Sequence, residues 1–212
     1  MRGHGYSEGP RGDARSSQHM YEDVNQAIQY ARKHFPNQPI FIGGHSSGAG
    51  LVINHSSYDK ALPVAGYVFL SPYMGVVAQV MRDGASNDFI SIDFKPFVKN
   101  AKDGSEAHTL AVTYNFPEPV LKQFPRIVQH LTVEMSLATN AQWPYHQLKE
   151  IESPIGMWVG ELDEGLDPKK LTYFLQNANQ SADAIVLPKQ NHLTIVLNAH
   201  KHIGPWLLSK VR

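Results

Sequence analysis

Short apolar runs separated by amphipathic stretches constrain this chain more than any other feature. They are Pro39-Ile40-Phe41-Ile42-Gly43-Gly44, Ala65-Gly66-Tyr67-Val68-Phe69-Leu70, Pro154-Ile155-Gly156-Met157-Trp158-Val159-Gly160 and Ala184-Ile185-Val186-Leu187. None shows the alternation of a half-solvated strand, and the pattern is that of strands covered on both faces. Between them the period changes. Met20, Val24, Ala27, Ile28 and Ala31 recur at helical spacing, with Ser17 as the expected N-cap and Pro36-Asn37 as the stop. Helices are also expected over 47–56, 168–178 and 196–210, with Pro205 as a kink or restart in the last. Buried strands alternating with helices predict an α/β fold with a mostly parallel sheet flanked by helices.

The rhythm breaks between 76 and 145. A helix is expected after Pro125, with Ile127, Val128, Leu131, Met135 and Ala138 along one face. The expected division is therefore a core of 1–75 and 146–212 and an inserted helical cap of 76–145. Lys+Arg and Asp+Glu are both 19, so there is no basic field to hold nucleic acid. Cysteine is absent, which removes disulfides and thiol chemistry. His200 and His202 stand two apart, on different faces of a helix, and no histidine pair has metal spacing. No stretch approaches the ~20 apolar residues of a membrane span, and no apolar run follows the first residues. A soluble, unexported, cytoplasmic protein is expected.

Gly44-His45-Ser46-Ser47-Gly48 fits G-x-S-x-G. The pattern alone is weak, but here it joins an apolar strand directly to a helix, the setting of a nucleophile elbow. The turn needs small neighbours, and Gly44, Gly48 and Gly50 allow close backbone approach. Ser46 would project at a helix N-terminus, where the Ser47 N–H can stabilise an oxyanion. A serine hydroxyl needs a base to take its proton, and the base needs a carboxylate to orient it. Asp163, just past the third apolar run, is the acid candidate; Glu161, Glu164 and Asp167 compete on the same loop. His192, between the last strand and the last helix, is the base candidate. His45 neighbours the nucleophile and is expected to pack against the site or bind substrate.

Together these segments resemble α/β-hydrolases of the monoacylglycerol lipase/lysophospholipase type, which include the serine aminopeptidase S33-like domains. Arg2-Gly3-His4-Gly5-Tyr6-Ser7 is similar to the R-G-H-G-x-S loop of that group, and Tyr21-Glu22-Asp23-Val24 to its next helix. Ser46, Asp163 and Asn191-His192 match its three catalytic stations in order. The resemblance implies a partial α/β-hydrolase fold, a Ser46–His192–Asp163 triad and a cap at 76–145. It also places strands and a histidine-glycine oxyanion loop ahead of R-G-H-G-x-S, where this sequence begins. It therefore implies one missing oxyanion donor, an exposed edge at 40–42, self-association through that edge, and impaired activity of a fragment or a chain with a misplaced start.

The activity implied is hydrolysis of a carboxylic ester, such as a lysophospholipid, a monoacylglycerol or a small acyl ester, with no cofactor. Phe116, Phe124, Met135, Trp143 and Tyr145 are candidate pocket residues. An aminopeptidase or amidase using the same triad is the alternative, as is an inactive module that binds a partner through the sheet edge.

Overall fold

The computed structural model describes residues 1–84 and 88–211. In chain order the elements are α1 (Ser17–His34), β1 (Phe41–His45), α2 (Ser47–Ser56), β2 (Gly66–Leu70), β3 (Ile90–Ile92), α3 (Phe94–Asp103), β4 (Leu110–Tyr114) and α4 (Glu118–Gln123). There follow β5 (His130–Thr132), α5 (Val133–Thr139), α6 (Pro144–Lys149), β6 (Ile155–Gly160), α7 (Pro168–Ala178), β7 (Asp183–Leu187), α8 (Thr194–Asn198) and α9 (His200–Lys210). They separate into two compact units, Met1–Asp23 with Ser86–Ala138, and Val24–Ala85 with Thr139–Arg212.

The second unit carries a parallel sheet in the order β1-β2-β6-β7. All six residues of β6 are buried, and alternate side chains enter different cores. Met157 and Val159 pack with Ile53, Phe69, Leu148, Leu171 and Leu175 on one face. Trp158 packs with Leu187, Ile195 and Trp206 on the other. Trp158 and Trp206 meet edge to face at 5.5 Å. The Trp206 indole N–H donates to Asp183 at 2.8 Å and Lys210 pairs with the same carboxylate at 2.9 Å, fastening α9 to the edge strand β7. The four apolar runs are thus the four strands, but full cover on both faces holds only toward the middle of the sheet: β6 is buried throughout, whereas Ile185 and Val186 of the edge strand β7 are exposed.

In the first unit β3, β4 and β5 form an antiparallel sheet, over a core that includes Met20, Val112, Leu131, Val133 and Met135. Residues 1–15 are tied into it by their backbone: Gly12 N–H donates to Gly3 O, and Thr132 N–H to Gly12 O. Arg2 makes a two-point pair with Asp23.

Several local expectations are corrected. The N-cap of α1 is Ser16, whose Oγ accepts from His19 N–H; Ser17 is already helical and donates to Glu134. The helix expected after Pro125 begins only at Val133. Residues 130–132 pair instead with β4, since β-branched residues at 127, 128, 132 and 133 suit a strand and sheet pairing overrides the helical spacing. The last helical segment divides at Ala199, and Pro205 lies inside α9 rather than at the break.

Candidate active site

Each strand of the parallel sheet delivers one residue at its C-terminal end: Ser46 after β1, Ser71 after β2, Asp163 after β6 and His192 after β7. Open α/β sheets gather functional groups at this edge.

The elbow is strained as its motif requires. Ser46 has φ 53° and ψ −126°, a conformation that costs a side-chain-bearing residue about 1–3 kcal/mol. It is held there by Ser46 N–H donating to Leu70 O at 3.1 Å and by Tyr73 N–H donating to Ser46 O at 3.0 Å. A Cβ on Gly44 would stand 2.3 Å from the Gly48 backbone. Only glycine at 44 lets the strand turn back so closely on the first turn of α2. Ser47 opens α2, where backbone N–H groups have no partner within the helix.

Ser46 Oγ lies 3.0 Å from His192 Nε2, and His192 Nδ1 lies 2.8 Å from Asp163 Oδ2. Asp163 is fully buried. Its second oxygen accepts from Gly165 N–H at 3.1 Å and Leu166 N–H at 2.8 Å. Burial alone would raise its pKa. The hydrogen bonds from His192, the Leu166 N–H and Ser71 outweigh burial and hold the carboxyl below its ordinary range. An ionised Asp163 accepts only, so His192 Nδ1 carries the proton. Nε2 is then left with its lone pair facing the Ser46 hydroxyl.

The loops bearing the acid and the imidazole are stitched together. Glu161 N–H donates to Leu187 O at 3.0 Å and Leu162 N–H to Gln190 O at 2.8 Å. Lys189, at φ 59°, donates its N–H to Glu161 Oε2 at 3.0 Å. A Cβ on Gly160 would come within 2.4 Å of Gln190 O, so glycine at 160 admits this approach. Arg82 donates to Asp163 O at 2.9 Å and holds the acid loop from its other side. Asn191 accepts from Leu193 N–H and Thr194 N–H while its own N–H donates to Thr194 Oγ1, which fixes the turn into α8.

The structure therefore brings Ser46, Ser47, His192, Asp163 and His45 together. The His45 ring lies 4.7 Å from that of His192, and its Nε2–H donates to His192 O at 2.8 Å. The rival carboxylates do other work: Glu161 and Glu164 accept loop N–H groups, and Asp167 caps α7. His200 and His202 lie in α9. Trp143 is 70% exposed, and Tyr145 donates to Asn177 O beside Phe174. Phe116, Phe124 and Met135 belong to the first unit. There Phe116 packs on Phe89 and Tyr114, Phe124 is exposed, and Met135 is core. Sequence reading missed Ser71, Arg82 and the loop role of Glu164. Ser71 alone left a signal, because it ends an apolar run as Ser46 and Asp163 do.

The sheet and elbow define an α/β-hydrolase fold, and solved structures agree. A monoacylglycerol lipase from Paleococcus ferrophilus superposes with a TM-score of 0.70 at 16% identity, over 99% of this chain and 81% of that one. A thermophilic esterase from Thermogutta terrifontis gives 0.61 at 17%, over 100% and 79%. The α/β hydrolase GrgF from Penicillium sp. sh18 gives 0.60 at 15%, over 99% and 76%. Residues 1–196 match the family described as serine aminopeptidase, S33. The chain belongs to that family and is a hydrolase of the α/β-hydrolase type. A search of curated proteins finds no match.

Proposed function

We propose that this chain is a serine hydrolase that cleaves carboxylic esters through an acyl-enzyme. The observation that carries the reading is the relay Ser46 Oγ–His192 Nε2–His192 Nδ1–Asp163 at 3.0 and 2.8 Å, ending on a strained, outward-turned serine. In the first half-reaction Ser46 Oγ attacks the ester carbonyl as its proton passes to His192 Nε2. The Ser47 N–H donates to the developing oxyanion, and the imidazolium returns the proton to the leaving alcohol. Water repeats the sequence on the acyl-serine, and the acid product leaves. Asp163 stays ionised throughout and stabilises the imidazolium. No step needs a metal or cofactor.

An apolar acyl group is favoured by what flanks the relay. Leu162 and Leu193, the chain neighbours of Asp163 and His192, are 57% and 70% exposed. A monoacylglycerol, a lysophospholipid or a short acyl ester fits this chemistry. Aminopeptidase activity with the same residues is the second reading, and the description of the matched family favours it.

A fluorophosphonate probe should label the wild-type chain and leave Ser46→Ala unlabelled. Parallel assays with p-nitrophenyl esters of increasing acyl length and with aminoacyl-p-nitroanilides should show turnover of the esters. Labelling that persists in Ser46→Ala would remove the nucleophile assignment. Turnover of the anilides alone would transfer the reading to the peptidase.

A further inference from the structure

The side chain of His192 is committed at both nitrogens, but those bonds fix only the ring's tilt. Where the ring sits depends on its main chain, which is anchored at both polar groups of the residue. The His192 N–H donates to Glu164 Oε2 at 3.1 Å, and the His192 carbonyl accepts from His45 Nε2–H at 2.8 Å. Both anchors come from the segments that carry the other two members of the relay. His45 is adjacent to Ser46, and Glu164 is adjacent to Asp163. A shift of the elbow or of the acid loop thus pulls the histidine with it, and the three reacting groups keep their spacing.

We propose that His45 and Glu164 are positioning residues that clamp the backbone of the catalytic histidine, holding its imidazole in register with Ser46 and Asp163. The proposal rests on the acyl-transfer reading of the relay. His45 is well suited to its share. Burial and the neighbouring His192 favour its neutral form, and the bond to the His192 carbonyl only partly offsets them. A neutral imidazole here can donate from Nε2 without placing a second positive charge 4.7 Å from a ring that must itself become imidazolium. Glu164 offers a carboxylate oxygen to a main-chain donor, a charge-assisted bond that is stronger than a neutral one. Both residues act through His192 rather than on substrate, and loss of either should therefore appear in kcat and not in KM.

The test uses His45→Ala, His45→Gln, Glu164→Ala and Glu164→Gln in the full chain. Tm and far-ultraviolet circular dichroism establish that each variant is folded. The alanine variants should lose ~10- to 100-fold in kcat and in fluorophosphonate labelling rate with KM nearly unchanged, the scale of loss when a reacting group drifts. Glutamine should restore much of that loss at either position, since its amide can donate to the His192 carbonyl or accept from the His192 N–H. A second readout is independent of turnover: the strongly downfield proton resonance of His192 Nδ1–H, which should broaden or vanish in the alanine variants and return with glutamine. Alanine variants with wild-type labelling rates and an unchanged resonance would overturn the clamp. If the wild type does not label at all, the acyl-transfer reading fails, and the resonance alone still decides whether the backbone anchors hold the ring.

Discussion

A neutral imidazole can carry its proton on either nitrogen, and the Asp163 carboxylate decides which. Asp163→Asn preserves shape but allows the amide N–H₂ to donate to His192 Nδ1, moving the ring proton to Nε2 and removing the base from Ser46. We expect kcat to fall by ~10⁴ with little change in KM, as when the same substitution inverts the tautomer in other triads. Steady-state kinetics on a p-nitrophenyl ester reads this directly, and a loss below tenfold would mean that Asp163 does not set the tautomer. The sign of the pH effect also follows. Folding depresses the Asp163 pKa, so its stabilisation is present above the ordinary carboxylate value of ~3.9 and disappears only as pH falls through the lower folded value. The relay residues were legible in the sequence because each terminates or follows a recognisable apolar run. Arg82 and Glu164 were not, because their roles depend on side chains meeting groups from distant loops, which no spacing encodes; Ser71 left only its place at the end of an apolar run.

At the scale of elements, the strand-to-helix turn from β1 to α2 tolerates nothing at one glycine and has room at another. A Cβ on Gly44 would meet the Gly48 and Ala49 backbone at 2.3–2.4 Å, whereas a Cβ on Gly48 would meet nothing within 4 Å. Gly44→Ala should therefore destabilise the chain by about 1–3 kcal/mol or more through overpacking against main chain. Gly48→Ala should remain within about 1 kcal/mol of the wild type, since alanine has the better helix propensity. Thermal or urea denaturation of the pair checks this, and equal losses would show that the clash at 44 is not what requires glycine there. Sequence alone grouped Gly44, Gly48 and Gly50 as one small-residue requirement, and only the packing separates them. The same limit explains β5. Ile127, Val128, Leu131, Met135 and Ala138 satisfy a helical period, yet pairing of 130–132 with β4 wins. By contrast α7, with Asp167 as its cap and Pro168 at its start, runs from Pro168 to Ala178 as its local signals require. Local chemistry was decisive where an element's ends carried their own caps, and misleading where a partner strand competed.

At the scale of the whole molecule, the parallel sheet of the second unit ends in two unlike edges. On β7 the first residue is Asp183, and its carboxylate is held by Trp206 and Lys210 of α9. Charge and a docked helix are the usual protections of a strand edge. On the other side β1 reads Phe-Ile-Gly-Gly-His. It contains no lysine, no carboxylate and no proline, and among the described residues no strand pairs with it opposite β2. A bare apolar edge of this kind recruits another strand, and a second copy of this chain presents the same edge. We propose that the chain self-associates through β1. Sedimentation velocity should show a sedimentation coefficient that rises with protein concentration, and hydrogen exchange should show protection of the β1 amides rising in parallel. Association without that local protection would assign the contact to another surface, and a single monomeric species at every concentration would remove the proposal. The outcome bears on catalysis as well. β1 leads directly into Ser46, so a strand added at this edge would stiffen the base of the elbow, and the labelling rate per chain should rise with the fraction associated.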